Sequence, residues 1–177
     1  MRQGKIRSMR AARFWSEVQT LRSLQKMDGR LSQPPVWQGN EDCAGLLLQH
    51  GASTTSKRPQ EYCPLNLAVY SAHLGIMHML DVHDPSSLDY IDGYGNSALD
   101  VASRLCNDIH LAKTGAKALG WLLIYGADPL VEDRKGETPL AVLERKSRGR
   151  HKSGEDLAIH EVLSDATHRA MRKKGAR

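Results

Sequence analysis

Cys63-Pro64-Leu65-Asn66-Leu67-Ala68, Ser97-Ala98-Leu99-Asp100-Val101-Ala102 and Thr138-Pro139-Leu140-Ala141-Val142-Leu143 are three drifting copies of one phrase, beginning at 63, 97 and 138. A second phrase precedes the first and third copies: Leu47-Leu48-Gln49-His50-Gly51-Ala52 and Leu123-Ile124-Tyr125-Gly126-Ala127-Asp128. Internal periods of this size mark stacked helical units. No such unit can bury its apolar face alone, so neighbours must stack into one core. Pro64 and Pro139 fall where a first helical turn tolerates a missing N–H. Leu65, Leu67, Ala68 and Leu140, Val142, Leu143 supply narrow apolar faces behind them. Gly51 and Gly126 follow apolar runs, where a helix end needs a residue able to take positive φ. Asp92-Gly93-Tyr94-Gly95-Asn96 and Asp133-Arg134-Lys135-Gly136 are turn chemistry and predict exposed hairpins between units.

These phrases resemble the ankyrin repeat, whose unit of about 33 residues opens Thr-Pro-Leu-His and later carries Leu-Leu-Leu-x-x-Gly-Ala-Asp. The resemblance covers roughly residues 41–145 and more weakly extends to 170. It implies an all-α helix-turn-helix solenoid with short hairpin-like loops, in units near 41–62, 63–96, 97–137 and 138–170. Outside this repeat domain (41–170) the reading places a basic N-terminal helix at 1–30, a linker at 31–40 and a basic tail at 171–177, expected to be disordered. Departures from the family are specific. His is missing from the fourth position of every phrase, replaced by Asn66, Asp100 and Ala141. The family's Thr–His hydrogen bonds are therefore altered, and a less regular, less stable array is expected. The unit opening at Cys63 carries His83-Asp84-Pro85 instead of a closing Gly-Ala. Pro34-Pro35 falls where the first unit's inner helix should be. That unit is degenerate, built from the distant helix 8–27, or truncated at its start.

Charge is segregated along the chain. The net charge of +5 divides into +6 over residues 1–30, −7 over 31–144 and +6 over 145–177. Basic ends on an acidic body make nucleic-acid binding a poor inference from isoelectric point alone. No apolar run approaches the roughly 20 residues of a membrane span, and no signal-peptide core follows Met1. The three cysteines have neither metal nor redox spacing and read as reduced, packed thiols of an intracellular protein. Cytoplasm or nucleus is the expected location. The acid-poor, Arg-rich start also fits a mitochondrial transit peptide, or a basic helix that binds membranes or calmodulin-like proteins.

Helices are expected at 5–27 (Phe14, Val18, Leu21, Leu24), 41–50, 64–71, 74–82, from Ser97 to Leu105, and at 156–170. Trp37 is expected to staple the linker onto the repeats. Ser97 to Gly126 spans 29 residues where the family uses about 21. The surplus near Asn107–Thr114 is expected as a surface loop or a partner-binding element. A second, basic swelling lies at Arg145–Gly154.

No catalytic set emerges. His73, His78 and His83 step by five residues, turning about 140° around a helix each time, so they cannot converge on one metal. Asp81, Asp84, Asp89 and Asp92 read as capping and turn residues. Asp92-Gly93-Tyr94-Gly95 lacks the Lys-Ser/Thr of a phosphate loop. The expectation is a non-enzyme with no cofactor, no metal and no small-molecule substrate.

The resemblance instead implies a concave binding face of hairpin tips and late inner-helix positions. Carried over position by position, the tips are Lys57, Arg58, Asp92, Tyr94, Arg134 and Lys135. The helix positions are Tyr70, Ser71, Arg104, Leu105, Arg145 and Lys146. This basic, tyrosine-bearing set suits an acidic protein segment. A protein-binding adaptor is the leading reading. The alternatives are a nucleic-acid-associated protein gripping phosphates with its basic ends, and a fragment of a larger ankyrin-containing protein.

Overall fold

The computed structural model describes residues 36, 38–55, 61–108, 110–147 and 154–175. They form α1 (Glu41–Gln49), α2 (Pro64–Tyr70), α3 (Leu74–His83), a 3₁₀ turn (Pro85–Asp89), α4 (Ala98–Cys106), α5 (Ala112–Ile124), α6 (Pro139–Ser147) and α7 (Gly154–Gly175). The fold is all-α, with no strand among the described residues. The helix expected at 5–27, most of the linker with Trp37, and residues 148–153 of the second swelling lie outside the described residues.

Each phrase copy opens a helix through its first residue. The Cys63 Sγ accepts from the Asn66 N–H at 3.4 Å, the Ser97 Oγ from Asp100 at 3.1 Å, and the Thr138 Oγ1 from Ala141 at 3.4 Å. Such a cap contributes about 1 kcal/mol. Asn40 serves α1 in the same way, accepting from the Cys43 N–H.

The Gly-Ala phrase closes helices with equal regularity. Gly51 and Gly126 take φ of +77° and +96°. The following Ala52 and Ala127 donate their N–H groups back to Leu47 and Leu122. This closure satisfies carbonyls that a helix end leaves open. After α2 the same pair of bonds runs from Ala72 and His73 to Val69 and Ala68. Here Ala72 itself holds φ +58°, a conformation that costs an L-residue roughly 1–2 kcal/mol.

Packing is pairwise: α2 on α3, α4 on α5, α6 on α7, with α2, α4 and α6 side by side. Leu65, Ile76, Met77, Leu80, Leu99, Leu119, Leu122 and Leu163 are all but inaccessible at the centre of these contacts. Each such burial contributes about 1.5–3 kcal/mol.

Two expectations need correction. The surplus near Asn107–Thr114 is a connection only as far as Leu111, and Ala112–Thr114 already belong to α5. The α4–α5 connection closes by Ala112, and α5 extends to 13 residues. Asp108 ends the connection tightly, its Oδ1 accepting from the N–H groups of His110 and Leu111. The C-terminal helix also continues through Arg172, Lys173 and Lys174. No proline interrupts it, cations in its last turn suit the helix dipole, and Lys174 reaches Asp128 at 3.3 Å.

Candidate functional site: a tyrosine and arginine surface over paired hairpins

Two turns of the same design carry the candidate site. In the first, the buried Asp92 accepts at Oδ1 from the N–H groups of Tyr94 and Asn96, at 2.9 and 3.0 Å. In the second, Asp133 Oδ1 accepts from Lys135 and Glu137, at 2.7 and 3.0 Å. Gly95 and Gly136 hold φ of +84° and +73°, which glycine alone adopts without strain. The turns are linked backbone to backbone: Gly93 N–H donates to Glu61 C=O, and one unit later Arg134 N–H donates to Gly95 C=O.

The remaining carboxylate oxygens tie each turn to the preceding helix. Asn66 Nδ2 donates to Asp92 Oδ2 at 2.8 Å and to the Asn96 carbonyl at 3.0 Å. Arg104 Nη2 reaches Asp133 Oδ2 at 3.4 Å. The polar residues at the fourth position of the first two phrases are thus hydrogen-bonded. Asn66 reaches the next turn, and Asp100 closes a capping box with Ser97.

Over this framework lie three half-exposed tyrosines. Tyr62 and Tyr94 stack with centroids 4.3 Å apart and planes tilted by 35°. Burial pushes the Tyr62 hydroxyl up, and Tyr94, Asp92 and Tyr70 add to that while Arg104 opposes it. Beside Tyr94, the stem of Arg134 lies against Gly95, on the space a side chain there would fill.

The expected binding set is accordingly redistributed. Tyr70, Tyr94, Arg134, Lys135 and Arg145 are exposed, and Ser71 is half-buried. Asp92 and Leu105 are not surface residues: they are 2% and 5% exposed. Asp92 is drawn in by its three hydrogen bonds, and Leu105 by the core. Arg104 and Arg145 are not free cations, because Asp133 and Glu137 hold them at 3.4 and 3.1 Å. Three acids, Asp92, Asp100 and Asp133, are buried beneath this face. Lys57, Arg58 and the Lys146 side chain lie outside the described residues. Tyr62 was missed because it sits just before the repeated phrase, at a position the phrase alignment pairs with Asn96 rather than with another tyrosine.

No protein-family model matches the chain, and no curated protein matches it.

Burial pushes the Cys63 thiol up to about 12, far from the thiolate a reaction would need. Among the described residues, no three or more His, Cys, Asp and Glu side chains gather as a metal site. No helix there is long and apolar enough to cross a membrane.

Asp100 is the carboxyl group most altered by the framework. Burial pushes its carboxyl up to about 6, Ser97's hydrogen bonds oppose the shift, Asp133 adds to it and Arg104 opposes it. Its Oδ1 has no hydrogen-bond partner. The folded-state value exceeds the unfolded one of about 3.9. Its stabilising contribution is therefore complete below pH about 4 and is lost as pH rises through about 6. Urea midpoints of the wild type, compared with Asp100→Asn, should show the wild type losing relative stability between pH 4 and 6.5. A difference constant across that interval would refute the assignment.

Proposed function

We propose that the chain is a non-catalytic protein-interaction module of the ankyrin type, binding a protein partner across its hairpin turns and inner helices. Support for the repeat reading comes from the twin turns at Asp92 and Asp133, the backbone bond from Arg134 to Gly95, and the side-by-side α2, α4 and α6. The functional reading rests on one observation above all: half-exposed Tyr62, Tyr70 and Tyr94 share a surface with arginines over a hydrogen-bonded framework. Tyrosine and arginine are the residues on which interface energy concentrates, because they bring large contact area and fixed donors. Rigid turns beneath them lower the ordering cost of binding.

The test uses Tyr94→Ala combined with Arg134→Glu, two exposed positions whose replacement leaves the core intact. Affinity capture on the full chain should retain a specific protein that the double variant loses at least tenfold. Melting temperature should be unchanged. Equal capture by both chains would end the reading.

A further inference from the structure

The surface differs from one end to the other. At the earlier turn it is aromatic, with Tyr62, Tyr70 and Tyr94 all 42–46% exposed. At the later turn it is cationic. Among the described residues no ion pair engages Arg134 or Lys135. The acids beneath are engaged within the framework, and Glu132 is an exposed acid beside the later turn. Asp92 and Asp133 are buried, each with both oxygens accepting from its own turn and the preceding helix. Glu137 is turned toward Arg145.

We infer that this surface takes an extended acidic peptide segment, with a ring side chain (aromatic or proline) on the Tyr62–Tyr94 pair and carboxylates on Arg134 and Lys135. The inference rests on the protein-binding reading and deepens it. Spacing follows from the fold. Helices packed side by side lie about 8–10 Å apart, so successive turns are separated by about that distance. An extended chain advances about 3.3 Å per residue. Ring and carboxylate should therefore be about three residues apart.

Single-stranded nucleic acid, which also favours aromatic rings and cations, fits less well. Arg104 and Arg145 are already paired with carboxylates, a poor setting for a run of phosphates.

The experiment is selection of a random 12-residue peptide library on the full-length chain, followed by titration of the enriched peptides. Enriched sequences should share a ring residue with Asp or Glu two to four positions away. Binding should weaken at least tenfold for Arg134→Glu/Lys135→Glu, for Tyr94→Ala, and when the peptide's acids are changed to lysine. Absent enrichment, enrichment of basic or uncharged sequences, or affinity unmoved by these variants would overturn the inference. So would a 20-nucleotide single strand whose binding depends on the same residues more strongly than the peptides do. If a natural partner is captured through Tyr94 and Arg134 while selected peptides lack the pattern, the peptide inference falls and the interaction reading stands. If capture ignores both residues, the reading itself falls.

Discussion

Gly115→Ala is expected to destabilise the protein by about 2–3 kcal/mol, whereas Gly120→Ala, five residues along the same helix, should stabilise it by about 0.5–1 kcal/mol. An added methyl group normally favours a helix by restricting the unfolded chain. At Gly120 nothing lies within 4 Å of the new atom, so that gain is realised. At Gly115 the new carbon would sit 2.4 Å from the Cys106 nitrogen, 2.8 Å from the Leu105 carbonyl carbon and 2.9 Å from the Ala102 oxygen. These are backbone atoms of α4, which no side-chain rotation can clear. Either the two helices separate, opening voids around Leu119 and Leu122, or the end of α4 unwinds. Both routes cost overpacking energy. Chemical denaturation of both variants reads the result directly. A stabilising Gly115→Ala would mean that α4 and α5 do not approach so closely.

That close approach was invisible in the sequence, whereas much else was legible. The phrase copies located the starts of α2, α4 and α6, because an N-cap and a first-turn proline act within four residues. Gly51 and Gly126 likewise announced helix ends through a local need for positive φ. Reading failed where the deciding partner is distant in sequence. The Arg104–Asp133 pair joins residues 29 apart. It converts an expected free cation into part of the framework. The surplus before Gly126 lies partly in the α4–α5 connection, as the spacing implied, and partly in the first turn of α5, which starts at Ala112.

The fourth position of the phrase carries a related lesson. Asn66 reaches forward to the turn that ends its own unit, and Asp100 closes the cap of its own helix. Among the described residues no comparable turn follows α6, and there the position is Ala141. Candidate binding residues were less legible than the fold because surface exposure depends on which side chains the framework consumes.

Asp92→Ala should then remove more stability than any other single change in the turns, about 3 kcal/mol. Three hydrogen bonds converge on this carboxylate at 2.8–3.0 Å, in a residue only 2% exposed. Bonds to a charged acceptor contribute about 1.5–3 kcal/mol each, and deleting the acceptor leaves their donors without partners. The N–H groups of Tyr94 and Asn96 lose that acceptor, while Asn66 retains only the Asn96 carbonyl. The equivalent Asp133→Ala should cost less. Its bond to the preceding helix is longer, at 3.4 Å, and comes from an arginine still 31% exposed, which water can resolvate. A double-mutant cycle between Asn66→Ala and Asp92→Ala isolates the bond between helix and turn, with an expected coupling of about 1–2 kcal/mol. Because the same turn supports Tyr94, Asp92→Ala should also weaken partner binding at temperatures where the chain remains folded. Additivity in that cycle, or equal losses at Asp92 and Asp133, would show that the turns are held by their backbone bonds alone.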